Sequence, residues 1–230
     1  MVGVVRAFDL AETSVRDLNQ FLHHDLGRVN EVEINNPNGQ HSIAVGLNAD
    51  IDVRIHGHAG YFIAGMNQQA RVTIHGNVGW SVGENMMSGT VRVKGHASQS
   101  AGASSHGGLL VIEGDASSRC GISLKGGDIV VAGGVGHFSG FMAQAGNIVI
   151  CGDAAANLGD SLYEANIYVL GSLTSLGADA QQEDLEEEDV GRLTRLLSEA
   201  QIREDAQKFK KIASAKTLYH WNPHTGASVV

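Results

Sequence analysis

The stretch Val53-Arg54-Ile55-His56-Gly57 returns 19 residues later as Val72-Thr73-Ile74-His75-Gly76 and again as Val91-Arg92-Val93-Lys94-Gly95. The series runs on through Gly114, Gly133, Gly152 and Gly171, so seven glycines keep one register. Two positions before each glycine stand Ile55, Ile74, Val93, Ile112, Val131, Ile150 and Val169; four before stand Val53, Val72, Val91, Leu110, Ile129, Ile148 and Ile167. Alternating aliphatics closed by glycine read as one short strand per repeat, with one face buried. Each repeat is then one coil of a solenoid, which gains its burial from the coils on either side.

Small residues mark the corners of the coil. Seven positions after the glycine come Ala64, Gly83, Gly102, Gly121, Gly140 and Gly159, and thirteen after come Ala70, Gly89, Gly108, Gly127, Gly146 and Ala165. Three after come Gly60, Gly79, Ser98, Ser117, Gly136, Ala155 and Thr174. Sharp bends need φ above zero or close backbone approach, which Gly permits and β-branched residues do not. Several bends per coil make a closed polygonal turn, and six steps of about 4.8 Å span roughly 29 Å. Left-handed β-helices follow a hexapeptide rule that 19 does not satisfy. Leucine is too scarce for leucine-rich repeats, and the period is less than half of one propeller blade. The fold class is therefore all-β: a single-stranded, right-handed parallel β-helix of about seven 19-residue coils, with a short N-terminal helix and a C-terminal helical tail.

The flanks read as covers for the open ends of the stack. In the N-terminal cap, residues 1–31, Thr13 or Ser14 caps a helix carrying Val15, Leu18, Phe21 and Leu22. The β-helix domain, 32–178, opens with Val32-Glu33-Ile34 in an atypical first coil, followed by a turn at Pro37 and Gly39. The tail, 179–230, begins with six acids in the seven residues from Glu183 to Asp189, which suit a helix N-terminus. A helical pattern follows with Val190, Leu193, Leu196, Leu197 and Ala200, then a second helical stretch over roughly 203–214 with Phe209 and Ile212. Leu218, Tyr219 and Trp221 read as anchors of the tail.

Composition limits the function. A formal net charge of -9 argues against binding to nucleic acid or to an anionic membrane. The N-terminus lacks a signal-peptide pattern and no apolar run reaches membrane-spanning length, so the expected location is the cytoplasm. The two cysteines, Cys120 and Cys151, face different parts of the coil and form no CxxC motif, which argues for free thiols and against a cluster or zinc site on this chain.

Candidate chemistry lies on stacked columns. His56 and His75 share a column with Lys94, Glu113, Ala132 and Cys151, a mixture that favours a polar outer ladder over a metal site. No phosphate-binding glycine loop is present, since the spacing Gly134, Gly136, Gly140 departs from the dinucleotide pattern. The column just after the glycine holds His58, Asn77, His96, Asp115, Gly134 and Asp153. His96 above Asp115 forms a candidate acid/base pair about 4.8 Å apart. Asp115 and Asp153, about 10 Å apart, approach the spacing of an inverting carboxylate pair. The competing reading is that Asn, Asp and Gly fill such a column as turn formers. Elsewhere the repeat shows a small-residue surface without clustered titratable groups.

The repeat, with blocks such as Gly76-Asn77-Val78-Gly79 and Gly133-Gly134-Val135-Gly136, resembles the GXGXG domain that ends the large subunit of glutamate synthase and that also occurs within formylmethanofuran dehydrogenase. The resemblance extends over nearly the whole chain, although the literal string GXGXG does not occur. By length and flanks the chain looks most like the stand-alone, GlxC-type GXGXG subunit of N-methylglutamate synthase. That resemblance implies a structural subunit without catalytic or cofactor-binding residues, in a hetero-oligomer. Its implied partners are an amidotransferase-like subunit and a glutamate synthase-like subunit that holds FMN and an iron–sulfur cluster. The alternatives are a GXGXG component of a formylmethanofuran dehydrogenase or formyltransferase, or a stand-alone β-helix carbohydrate-active enzyme using His96, Asp115 and Asp153.

Overall fold

Each aliphatic-glycine repeat forms the strand that its alternation predicts. The computed structural model describes residues 4–216, 220–221 and 228–229. In chain order it begins with β1 (Val4–Asp9), α1 (Val15–His24) and β2 (Val29–Asn35). The repeat strands follow: β3 (Asp52–His56), β4 (Arg71–His75), β5 (Thr90–Val93), β6 (Leu109–Ile112), β7 (Lys125–Val131), β8 (Ala145–Ile150) and β9 (Asn166–Val169). The tail supplies β10 (Ala180–Glu183), α2 (Glu187–Glu199), a 3-10 turn at Ala206–Lys208, β11 (Lys210–Ser214), and the small antiparallel pair β12 (His220–Trp221) and β13 (Ser228–Val229).

Strands β1 to β9 lie side by side in chain order, all parallel, in a solenoid of about seven turns. Register is kept in multiples of the repeat, with Val53 opposite Val72, Ile55 opposite Ile74 and Val93 opposite Ile112. Like side chains therefore pile up: Val53, Ile55, Val72, Ile74, Val91, Val93, Leu110, Ile112, Ile148 and Ile150 are all buried. Each contributes roughly 1.5–3 kcal/mol of burial. A second ladder of single bridges links Ala59, Val78, Ala97, Ala116, Val135, Ala154 and Leu173, closing another side of the prism.

The repeat glycines serve close approach. A Cβ on Gly76 would lie 2.4 Å from the Gly57 carbonyl oxygen, so the coil below forbids a side chain there. The column seven positions on is different: Gly121 sits at φ +68, and its Cβ would strike Ile148 Cδ1 at 2.5 Å. Left-handed backbone also recurs five and nine positions after the glycine, without any glycine. Ser81, Ser100 and Arg119 lie at φ 61, 60 and 60, and Asn85, Ser104 and Met142 at 54, 53 and 53. Each such residue costs on the order of 1 kcal/mol. The stack holds them there because their amides bond alternately up and down: Ser81 N to Gln99 O and Asn85 N to Ala103 O, with Gly83 N between them to Ile63 O, each at 2.9 Å.

Both ends are covered, but not as the flanks alone indicate. Helix α1 is capped by Ser14, whose Oγ accepts from Asp17 N at 3.1 Å, and it buries Leu18 and Leu22. Asn19 clips it to the first coil, donating to Ser42 O and accepting from Ala44 N. Strand β1 then adds a parallel strand below β2. At the other end α2 forms as predicted. The second helical stretch over 203–214 does not. Residues 210–214 are β11, antiparallel to β9 with Lys211 opposite Tyr168, and β10 pairs on its far side. An open coil edge offers unpaired backbone, and pairing with it outweighs a weak local helix pattern. Ile212 is buried in the solenoid core and Phe209 beneath α2. Leu218, Tyr219 and the Trp221 side chain lie outside the described residues.

Gly121→Val is expected to lower stability by about 3 kcal/mol or more, through left-handed backbone and overlap with Ile148. Urea denaturation checks this, with Ser123→Val, at φ 52, as the milder control.

Candidate functional site

The column that carries His96, Asp115 and Asp153 is a hydrogen-bond ladder. His58 Nδ1 accepts from Asn77 N at 2.9 Å, Asn77 Oδ1 from His96 N at 2.9 Å, and His96 Nδ1 from Asp115 N at 2.9 Å. Asp115 Oδ1 accepts from Gly134 N at 2.8 Å, and Asp153 Oδ1 from Ser172 N at 2.7 Å. Each side chain thus holds the equivalent amide one coil further on. His96 Nδ1 also lies 3.3 Å from Asp115 Oδ2, with both side chains more than 60% exposed. Because Nδ1 accepts the Asp115 amide, the neutral ring carries its proton on Nε2 and has no proton to give Asp115. The Asp153 carboxyl is held below its ordinary range by the Ser172 backbone and side-chain hydrogen bonds.

The structure brings Asp115 and Asp153 to one open groove of about 360 Å³, separated by Gly134 and bordered by Ser172 and Thr174. Among the described residues nothing there excludes water, which weakens every electrostatic effect that acid/base chemistry would draw on.

Titratable groups do cluster, on a different face. The outward positions of β2 to β5 and the end of β6 hold Glu31, Glu33, Asp52, Arg54, His56, Arg71, Arg92 and Lys94, with Glu113 at the edge. The expectation of a surface without such clusters is corrected, because strand alternation stacks outward charges on adjacent coils. Arg54 contacts Glu31 and Glu33, Arg71 bonds Asp50 and Asp52 at 2.7 Å, and Lys94 and Arg92 share Glu113. His56 reaches Glu33 and stacks on His75, with ring centroids 5.0 Å apart. Partial burial, His56 and Lys94 hold the His75 ring below its usual pKa.

Beyond β5 the outward face becomes apolar. Leu109, Val111, Val130, Val149 and Tyr168 are buried under Leu193, Leu196, Leu197, Ala200 and Phe209. This second core was legible in the change from Arg54, Thr73 and Arg92 to Val111, Val130, Val149 and Tyr168 at one repeat position. Its polar anchor is Asp189, 2% exposed, which accepts from Tyr168 Oη at 2.7 Å, Arg192 at 3.0 Å and Lys211 Nζ at 3.0 Å. Burial alone would raise the Asp189 carboxyl, but the bonds from Tyr168, the Glu186 amide and Lys211 outweigh it and hold the pKa below the ordinary value. Beside the same helix an open concavity of about 830 Å³ is lined by Thr194, Ser198, Arg203 and Glu204 among others.

Both cysteines are free; burial pushes each thiol up to about 12. Cys120 lies in the solenoid core and Cys151 packs beside the second core. No helix among the described residues is long and apolar enough to cross a membrane.

A parallel solenoid of 19-residue coils, with glycine columns and a C-terminal helix packed on the outer face of its later strands, is a repeat architecture. The family model described as the GXGXG motif matches residues 24–228, and the chain belongs to that family. It is similar to Protein GlxC of Rhizobium meliloti (strain 1021), with 48% identity over 58 residues. That match spans 24% of this chain and 25% of the relative's length.

Asp189→Asn is expected to lower stability at neutral pH by about 2–3 kcal/mol, since it removes the buried carboxylate that Lys211 and Arg192 share and leaves them only the more exposed Glu183 and Glu188. Because the folded pKa is depressed, the carboxylate's contribution is complete above about pH 4 and disappears as pH falls through the folded value. Urea melts of both proteins at neutral and acid pH should therefore converge as pH falls.

Proposed function

We propose that this chain is the non-catalytic structural subunit of a glutamate-synthase-like complex, and that the complex is N-methylglutamate synthase, which converts methylamine and glutamate to N-methylglutamate and ammonia. In this reading it packs between an amidotransferase-like subunit and a synthase subunit holding FMN and an iron–sulfur cluster, in a cytoplasmic hetero-oligomer. The observation that carries the reading is the amide-holding ladder. His96, Asp115 and Asp153 are engaged in joining coil to coil. Membership of the GXGXG family and similarity to a GlxC protein support the glutamate-synthase branch.

The donor set here does not fit an iron–sulfur cluster. Its two thiols are set apart, Cys120 in the solenoid core and Cys151 beside the second core, and neither is activated to a thiolate. In this reading the synthase partner holds both the cluster and the FMN.

Co-expression of a tagged chain with the two partner subunits should yield one co-eluting complex. Elution of the chain without either of them would overturn the reading. Within an assembled complex, His96→Ala, Asp115→Ala and Asp153→Ala should leave turnover close to wild type. Lost turnover with assembly intact would instead place catalysis on this chain.

A further inference from the structure

One side of the prism is nearly free of charge. It comprises positions three to nine after each repeat glycine, residues 60–66, 79–85, 98–104, 117–123, 136–142 and 155–161, where only Glu84, Arg119 and Asp160 are charged. Hydrogen bonds run up both of its edges: Phe62 N to Trp80 O, Ser81 N to Gln99 O and Arg119 N to His137 O along one, and Met66 N to Glu84 O, Asn85 N to Ala103 O and Ser123 N to Phe141 O along the other. The side is one continuous face.

Large apolar side chains stand on both edges. Counting the coil that follows Gly57 as the first, Tyr61 and Trp80 occupy position four of coils one and two and are 50% and 61% exposed. With Gly60 and Gly79 as floor they border an almost wholly apolar slot of about 250 Å³. His41 stacks on Tyr61 with ring centroids 3.9 Å apart, which fixes one wall. At position nine stand Met66 in coil one and Met142 in coil five, 43% and 47% exposed. Coil five also carries Phe138 and Phe141, whose rings meet edge-on at 5.9 Å.

A second copy laid on this face, with the two-fold axis between them parallel to the stack and midway between positions six and seven, sets each coil against the same coil of its partner. That operation opposes position four to position nine and position five to position eight. Tyr61 then faces Met66, Phe138 faces Phe141 and His137 faces Met142. In the middle coils Gln99 faces Ser104 and Ser118 faces Ser123. Glu84 falls opposite Ser81, Asp160 opposite Asn157 and Arg119 opposite Ile122, so no charge meets its like. A two-fold contact requires this kind of self-complementarity.

We infer that this face is the interface of a parallel two-fold homodimer, in which Met66 of each copy seats against Tyr61 and Trp80 of the other, and Phe138 packs on Phe141 across the axis. A chain of net charge -9 repels its own copies, and this side is where two can meet with little repulsion. Six coils of about 4.8 Å make the face about 29 Å long, but two successive turns in each coil, such as Glu84 N to Ser81 O and Met86 N to Gly83 O, keep it narrower than extended chain, so the contact is below standard interface size and suits a weak, reversible dimer. The outer sheet face and the His96 ladder stay free for other subunits, so the dimer does not depend on the catalytic partners proposed above.

Sedimentation velocity on the purified full-length chain across the micromolar range tests this. A reversible dimer is expected, weakened at least roughly tenfold by Met66→Glu and by Trp80→Ala. Far-UV circular dichroism should be unchanged in both variants, because these side chains lie at the surface. Oxidative cross-linking reads the geometry: Gln99→Cys mixed with Ser104→Cys should give a covalent dimer of the two variants, whereas neither variant alone should. A monomeric wild-type chain would overturn the inference, as would a dimer indifferent to Met66→Glu. Cross-linking of Gln99→Cys to itself would do so too, because an antiparallel pairing brings like positions together. Binding of other subunits through Trp80 by a chain that stays monomeric alone would overturn it as well.

Discussion

Backbone hydrogen bonding from each coil to the next, at a fixed interval of 19 residues, is the constraint on which this protein rests. It satisfies the amides of strands and corners alike, so that Ser81 and Asn85 are held in left-handed conformations that their own preferences oppose. It also sets the side-chain chemistry. Once Val53 lies opposite Val72, every other position is stacked on its counterpart, and a slip of one residue would turn Ile55 and Ile74 out into water. Aliphatic columns then form the interior, and polar columns form ladders outside.

Stacking also shapes how the polar residues are used. A histidine above an aspartate resembles a catalytic pair when read as sequence, yet in the solenoid His96 Nδ1 and Asp115 Oδ1 each face the amide one coil on. The outward sheet face is divided in the same way. Over β2 to β5 it carries interlocked charges of the kind that add little to stability when exposed to solvent. Over β6 to β9 it is aliphatic, and α2 lies on it through Leu193, Leu196 and Leu197, with Asp189 drawing Tyr168 and Lys211 together. The tail is therefore a second core as well as a cap.

The repeat was readable because its physical cause is local and periodic: Val and Ile at alternate positions, then a glycine that the coil below requires. Capping chemistry and amphipathic spacing exposed the Ser14 helix and the stretch from Val190 to Ala200 in the same local way. Neither could reveal that residues 210–214 would leave a helical pattern to pair with β9, since what draws them is an open edge in a distant part of the chain. Nor could they reveal the left-handed backbone at Arg119 and Met142, where no glycine signals the conformation.

Sequence by itself determined the coil length, the strand, the aliphatic interior and the corners, because each depends on spacing within one repeat and on sterics that neighbouring copies merely multiply. Tertiary structure alone decided which side chain meets which: that the ladder holds amides, that outward charges interlock, that α2 seals the later coils, and that one face keeps its rings exposed. Those outcomes depend on contacts between residues a coil or more apart, whose geometry exists only after the chain has wound.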